Sequence, residues 1–89
     1  GGGNAAEHMP ETELTDEDLT DGAADILTLL VKSGLCSSKS DARRNVQQGG
    51  VTANDEKVDD IARAYTGDEL RAGVILRRGK KNFNRVVLK

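Results

Sequence analysis

The stretch from Leu35 to Val51 contains serines, basic residues and amides in an order that suits phosphate binding. Ser38 is a good N-cap, and Asp41 three residues later completes an S-x-x-D variant of the capping box. Lys39 then falls in the first turn of a helix, at the positive end of the macrodipole, where a cation is disfavoured. Backbone N–H groups at that end attract anions, and hydroxyls and basic side chains add to them. These features predict a phosphate contact at Ser38, Lys39, Ser40 and Arg43.

The rest of this predicted helix separates apolar from polar residues at about 100° per position. Ala42 and Val46 fall on one side. The other side carries no carboxylate and consists of Arg43, Arg44, Gln47 and Gln48. An ordinary solvated helix face is the alternative interpretation. The unfavourable position of Lys39 favours contact with a nucleic-acid backbone.

The C-terminal residues form a second basic group. Val74 to Arg78 and Phe83 to Leu88 are predicted as a hairpin, joined by the turn Gly79-Lys80-Lys81-Asn82. Its basic residues are Arg77, Arg78, Lys80, Lys81 and Arg85. Such charge also protects sheet edges from aggregation. Edge protection does not require basic residues on the helix, so the two groups together favour binding.

Three further residues are ambiguous. Phe83 is predicted to lie in the core rather than to stack on a base, because aromatic residues are scarce. Asn54 and Lys57 flank a predicted tight turn and are candidates for RNA contact. Asparagine at a turn usually serves the backbone, however.

No arrangement in the sequence supports catalysis or metal binding. His8 lies in the opening segment and Cys36 follows the first helix, so this pair has no reason to meet. Adjacent Asp59 and Asp60 point to different sides of an extended chain. Residues 73–81 lack the spacing and the hydroxyl of a phosphate loop. A single cysteine excludes an internal disulfide and a multi-cysteine zinc site, and it fits a reducing compartment.

The formal net charge of −2 conceals two opposite segments. Residues 1–22 hold seven acidic and no basic residues, which gives −7; residues 23–89 hold 13 basic and eight acidic residues, which gives +5. The acidic segment contains few apolar residues to offset its ordering entropy, so it is predicted to be a flexible linker. It has neither the basic start nor the apolar run of a signal peptide, and no stretch reaches transmembrane length.

Residues 23–89 are predicted to form one small α+β domain of two packed short helices and a small antiparallel sheet of hairpins. The first helix covers Ala23 to Ser33 and Gly34 is its C′ residue. The second helix ends at Gly49-Gly50. A hairpin follows over residues 51–58, with a turn of the Asn-Asp type. Residues 59–73 are ambiguous between a loop with one helical turn and irregular coil.

The segment S-G-L-C-S-S-K-S-D-A-R-R-N-V-Q-Q-G-G-V-T-A-N-D-E-K-V closely resembles the S-four RNA-binding domain. That module is shared by a small-subunit ribosomal protein, some pseudouridine synthases and bacterial tyrosyl-tRNA synthetases. The tail G-V-I-L-R-R-G-K-K-N-F-N-R-V-V-L resembles the C-terminal end of the synthetases, and G-G-G-N followed by M-P-E resembles their tether. Asn45 departs from the pattern, since an apolar residue is usual there. Either the second helix is rotated slightly or the core is thinner at that point.

The resemblance implies a non-catalytic domain that docks tRNA for tyrosine near its anticodon stem and long variable arm. Family positions that face RNA match Lys39, Arg43, Arg44 and the turn at 79–82. Together with the residue patterns above, the expected RNA-binding residues are Lys39, Ser40, Arg43, Arg44, Gln47, Lys57, Arg77, Arg78, Lys80, Lys81, Asn82 and Arg85.

The expected partner is tRNA, without DNA or membrane, in the cytoplasm. No cofactor is expected in this domain; ATP and tyrosine are implied for a full-length enzyme only, which is expected to be a homodimer through regions not present here. Two alternatives remain open. One is the same module from a ribosomal or pseudouridine-modifying protein that binds rRNA, and the other is a basic protein-docking domain.

Overall fold

A computed structural model describes residues 10–79 and 82–89, and these form two β-sheets and three α-helices. In chain order the elements are β1 (Glu11–Leu14), a 3₁₀ turn (Asp16–Asp18), β2 (Ala23–Asp25), α1 (Ile26–Lys32), α2 (Lys39–Gln47), β3 (Val51–Ala53), β4 (Glu56–Lys57), β5 (Ala64–Thr66), α3 (Gly67–Ala72), β6 (Val74–Arg78) and β7 (Asn82–Leu88). The predicted α+β class is confirmed.

The larger sheet has the strand order β1-β7-β6-β3-β4, and it contains both predicted hairpins. In the first hairpin, Asn54 and Asp55 have φ angles of 52° and 68°, as a two-residue turn of the I′ type requires. The Asn54 side-chain oxygen accepts a hydrogen bond from the Ile75 N–H at 3.0 Å, and the Asn54 N–H donates to the Ile75 carbonyl at 2.9 Å. Asn54 therefore serves the backbone, as residues at turns usually do.

The two faces of this sheet differ in burial. Side chains alternate along a strand, and directly paired residues project to the same side. The inner face, against which the helices pack, carries the buried residues Leu14, Val51, Ala53, Val74, Leu76, Asn84, Val86 and Leu88. The outer face carries Glu11, Glu13, Thr52, Lys57, Ile75, Arg77, Phe83, Arg85 and Val87.

Helix α1 supplies much of the core, since Ile26, Leu29 and Leu30 are fully buried. It starts three residues later than predicted, because Ala23–Asp25 pairs with β5 instead. Its end is as predicted: Gly34 has a φ of 80°, and its N–H donates to the Val31 carbonyl at 3.0 Å.

Residues 59–73 are more ordered than the sequence indicated. Thr66 and Glu69 form a capping box, in which the Glu69 N–H donates to the Thr66 hydroxyl at 3.2 Å and the Thr66 N–H donates to the Glu69 carboxylate at 3.0 Å. This cap starts α3, and Leu70 is its fully buried residue. The T-x-x-E signature was therefore the overlooked signal for a helix at this point.

The prediction of a flexible linker is wrong for residues 11–22. Glu11–Leu14 pairs in parallel with β7, and Leu14 is only 1% exposed. The Thr12 hydroxyl donates to the Asn84 side-chain oxygen at 2.9 Å, and the Asn84 amide donates to the Ser33 carbonyl at 2.8 Å. Composition failed here because strand pairing to β7 and one buried leucine offset the ordering entropy. The linker prediction for residues 1–9 falls outside the described residues.

Candidate nucleic-acid interface

Helix α2 exposes the polar side that the sequence predicted. Ser38 is the N-cap, and its hydroxyl accepts a hydrogen bond from the Asp41 N–H at 3.2 Å. Ala42 and Val46 are fully buried. The predicted contact residues of this helix are all exposed, namely Lys39, Ser40, Arg43, Arg44 and Gln47. The helix therefore presents three bases to solvent, and a phosphate can reach them.

The opposite flank of α2 is structural. The Asp41 carboxylate accepts from the Ser37 N–H at 3.2 Å, one residue earlier than the predicted capping box requires. The half-buried Asn45 donates through its amide to the Asp41 carbonyl at 2.8 Å and to the Asp41 carboxylate at 3.3 Å. Because Ala42 and Val46 remain buried, the unusual Asn45 does not rotate the helix. The amide also lies 3.8 Å from the Cys36 sulfur.

Cys36 is a buried thiol below this flank. Burial raises its pKa, and the Asp41 carboxylate raises it further, while Arg78 acts in the opposite direction. The thiol is therefore neutral near pH 7 and contributes to packing.

The end of the terminal hairpin holds the second predicted group. Arg77 lies on the outer face, opposite Thr52 and Phe83, and Arg78 lies on the inner side, opposite Val51 and Asn82. Both arginines are half-buried, and Asn82 is exposed. Lys80 and Lys81, also predicted as contact residues, lie outside the described residues.

Backbone hydrogen bonds join this hairpin end to the C-terminus of α2. The Gly50 N–H donates to the Asn45 carbonyl at 3.0 Å, and the Gly79 N–H donates to the Gly50 carbonyl at 2.8 Å. Lys57 reaches the same point, since its Nζ lies 2.9 Å from the position that a Cβ on Gly49 would occupy. A cation at a helix C-terminus is favourable for the macrodipole. The fold thus brings the end of α2, Lys57 and the end of β6 together.

The basic residues of the described chain divide into two sets by their ion pairs. Five have a carboxylate oxygen within 4.0 Å: Lys32, Arg63, Arg71, Arg85 and Lys89. The other six have no such partner in residues 10–79 and 82–89: Lys39, Arg43, Arg44, Lys57, Arg77 and Arg78. All six belong to the predicted site. We call them the unpaired bases.

Arg85, Lys39 and Ser40 are predicted residues that lie apart from this hairpin end. Arg85 pairs with Glu11 at 3.9 Å on the outer face, and it packs over Gly73. Lys39, at the other end of α2, lines a shallow depression together with Asp18 and Asp25. The carboxylate of Asp25 caps α1, and that of Asp18 is paired with Lys32.

Phe83 is placed differently from the prediction. It is partly exposed on the outer face, whereas the inner-face residues of β7 are Asn84, Val86 and Leu88. The prediction that Phe83 lies in the core is therefore wrong. The alternation of Val86 and Leu88 with Phe83 was the signal that could have shown it. Sequence reasoning also missed Thr52, which lies between Lys57 and Arg77 on the same face.

Other parts of the described chain offer little chemistry. No cluster of three or more histidine, cysteine, aspartate or glutamate side chains in it is arranged to hold a metal ion. The other aromatic residue, Tyr65, is buried, and the Arg63 guanidinium lies 4.4 Å from its ring centroid. Burial raises the Tyr65 pKa, so the ring is neutral at pH 7 and stabilises packing. Among residues 10–79 and 82–89, no helix has the length and apolar character needed to span a bilayer.

Comparison with known proteins agrees with the resemblance seen in the sequence. A family model described as Tyrosine--tRNA ligase SYY-like C-terminal domain matches residues 3–86. The tyrosine–tRNA ligase of Clostridium botulinum (strain 657 / Type Ba4) is 44% identical over 90 residues, covering 98% of this chain and 21% of the relative. That of Clostridium tetani is 42% identical over 89 residues, covering 99% and 21%, and that of Lachnoclostridium phytofermentans is 38% identical over 85 residues, covering 93% and 20%.

The chain thus spans about a fifth of the length of these curated relatives. The family match extends over both basic groups, from α2 to the terminal hairpin. On these grounds, the chain belongs to the family of C-terminal domains of tyrosyl-tRNA synthetases.

Proposed function

We propose that this chain is a tRNA-binding domain that grips tRNA for tyrosine through its phosphates and shape, near the anticodon stem and the long variable arm. One observation carries the proposal. The six unpaired bases are three residues of α2, Lys57 of β4 and the two arginines at the end of β6. The other five described bases have carboxylate partners. Exposed or half-buried cations that lack a carboxylate partner within the fold fit a polyanion.

Phosphate and shape contacts suit this chain better than recognition of many bases. Single-stranded RNA readers stack successive bases on several aromatic rings. This chain has one tyrosine, one phenylalanine and no tryptophan, and the tyrosine is buried. Most of the affinity must therefore come from charge-assisted contacts to the sugar-phosphate backbone.

Within a full-length enzyme like the curated relatives, the domain works as an appended tRNA anchor. Tyrosine activation with ATP then takes place on regions outside this chain, in a cytoplasmic homodimer. By holding tRNA, the domain raises the effective concentration of the tRNA at those regions. No cofactor, DNA or membrane is part of the proposed role.

The test is a titration of the 89-residue chain with tRNA for tyrosine at several salt concentrations. With four to six phosphate contacts, the log-log slope of affinity against salt should be about −3 to −5. A flat salt response would contradict the proposal. The matched control RNA is a tRNA with a short variable arm, which should bind more weakly. Tighter binding to an rRNA fragment than to either tRNA would assign the domain to the ribosomal or pseudouridine-modifying class instead.

A further inference from the structure

A row of four side chains crosses the outer face of the sheet near the hairpin end. Lys57 is paired with Thr52, Thr52 with Arg77, and Arg77 with Phe83, on four adjacent strands. Directly opposite side chains on neighbouring strands are in contact range, and strands are about 4.8 Å apart. The row therefore extends for about 15 Å across the sheet. We call it the cross-strand row.

In the part of the chain that the structure describes, Lys57 of the cross-strand row is exposed, and Thr52, Arg77 and Phe83 are partly exposed. The helices pack against the inner face, where Leu76 and Val86 are fully buried. On the outer face Phe83 stays partly exposed, and Ile75, next along β6 on that face, is 37% exposed. An aromatic ring left partly exposed in a chain that has only two is a candidate ligand contact.

The charges of the outer face are separated along the sheet. Its two acidic residues, Glu11 and Glu13, lie on β1 at the far edge, 3.9 Å from Arg85 and 4.0 Å from Lys89. Lys57 and Arg77 have no carboxylate within 4 Å in the described residues. The Arg77 Nε is shielded without an acceptor, so its terminal N–H groups are the ones that can meet a ligand.

We infer that the cross-strand row binds an unpaired nucleotide of the RNA that the domain holds. Lys57 and Arg77 contact its flanking phosphates, the Thr52 hydroxyl bonds a ribose hydroxyl or phosphate oxygen, and the Phe83 ring stacks on its base. The inference rests on the proposed function and extends it to a second face. Lys57 connects the two faces, because its ammonium also lies at the end of α2 beside Gly49.

A protein partner fits this surface less well than RNA. Specific protein interfaces bury roughly 800 Å² on each side around an apolar centre. Among the described residues, Ile75 is the one large hydrophobic side chain that counts as exposed. Two cations, a hydroxyl and one aromatic ring match the phosphate, ribose and base of a nucleotide.

The test compares two variants in the row with matched variants outside it on the same face. Arg77→Gln removes a phosphate contact, so it should weaken tRNA binding and reduce the salt slope by about one. Phe83→Leu should weaken binding about five- to tenfold without changing the salt slope, because stacking is lost and charge is kept. The controls are Arg85→Gln, next to Glu11, and Val87→Ala, one pair further along β7. Both should bind tRNA like the unchanged chain, and melting temperatures show that all four variants fold.

The outcomes separate this inference from the function beneath it. If the unchanged chain fails to bind tRNA, the proposed function is overturned and the row inference with it. If the unchanged chain binds and Arg44→Glu weakens binding while the row variants bind normally, only the row inference is overturned. Row variants that keep tRNA affinity but lose a protein partner would likewise overturn it and assign the row to a protein interface.

Discussion

On the outer face of the larger sheet, the β1 edge and the hairpin end carry similar numbers of basic residues, but the surroundings of these residues differ. At the β1 edge, Arg85 and Lys89 face Glu11 and Glu13 at 3.9 and 4.0 Å, and nearby Lys32 contacts Asp18 at 3.0 Å. At the hairpin end, Lys57 and Arg77 have no carboxylate within 4 Å among the described residues. The bases of the β1 edge are paired within the fold, whereas Lys57 and Arg77 are not paired with any described carboxylate.

The difference indicates which charges serve the domain and which serve a partner. Exposed ion pairs contribute little to the free energy of unfolding, typically 0 to about 1 kcal/mol each. The ion pairs of the β1 edge therefore neutralise charge more than they stabilise the fold. A one-sign patch repels itself and lowers stability. The chain has 15 acidic residues, yet among the described residues none has a carboxylate within 4 Å of Lys57 or Arg77. The tRNA binding proposed above would supply the missing negative charge.

The largest expected effect is at the β1 edge. Leu14→Ala empties a site that is 1% exposed, and such truncations cost about 3 kcal/mol of the free energy of unfolding. Urea denaturation measures the loss. Hydrogen exchange of the Arg85 and Lys89 amides, which donate to the Pro10 and Leu14 carbonyls, should become faster.

The matched control for Leu14→Ala is Ile75→Ala, on an exposed outer-face site of the same sheet. It should cost less than about 1 kcal/mol. Equal losses in the two variants would mean that β1 does not belong to the cooperative fold, and the neutralised edge would then be a linker after all.

A smaller loss is expected at Asn84, which ties the β1 edge to the helix pair. Asn84→Ala leaves the Ser33 carbonyl and the Thr12 hydroxyl without their partner. Losing buried hydrogen bonds in this way should cost about 2 kcal/mol. Urea denaturation compares the stability of Asn84→Ala with that of Asn82→Ala. Asn82 is exposed on the same strand, so its replacement should hardly change stability. Similar stabilities for the two variants would contradict this structural role.

At the positive region, the expected effect is on binding rather than on folding. Arg44→Glu should weaken tRNA binding about tenfold, equivalent to about 1.4 kcal/mol, with little change in melting temperature, because Arg44 is exposed and has no carboxylate partner among the described residues. Arg71→Glu changes the net charge equally on α3, where Arg71 contacts Asp68 at 3.2 Å. It should retain most of the affinity. Equal losses of affinity would show that overall charge matters and the location of the bases does not.

Local features of the fold could be predicted from the sequence. The cap at Ser38, the C′ residue Gly34 and the turn at Asn54-Asp55 depend on neighbours a few residues away, and all three are present. The exposed side of α2 followed from the helical repeat alone. These predictions held because capping and turn geometry are set by short-range hydrogen bonds and φ angles.

Long-range pairings could not be predicted in the same way. Glu11 lies opposite Arg85 through a parallel pairing of chain segments more than 70 residues apart, and composition alone indicated a linker. The same pairing removes Arg85 from the unpaired bases, although its residue type matches Arg77. The face of Phe83, by contrast, could be derived from the alternation of Val86 and Leu88 with it along β7, and the scarcity of aromatic residues was the wrong guide.

The smallest expected effect tests how little the neutralised edge depends on its charges. The Thr15 N–H donates to the Asp18 carboxylate at 2.9 Å, and that hydrogen bond, followed by Lys32, holds the Asp18 pKa below its ordinary value of 3.8. A lowered carboxylate pKa stabilises the fold above the unfolded value, and this stability is lost as pH falls through the folded pKa. Asp18→Asn should therefore lose less stability than the unchanged chain between about pH 5 and pH 2, by no more than about 1 kcal/mol.

The control is Asp16→Asn, at an exposed residue of the same turn with no base within 4 Å in the described chain. Urea midpoints at both pH values measure the difference. A pH dependence identical in both variants would show that the contacts of Asp18 with Thr15 and Lys32 contribute no stability, and that this carboxylate only neutralises Lys32.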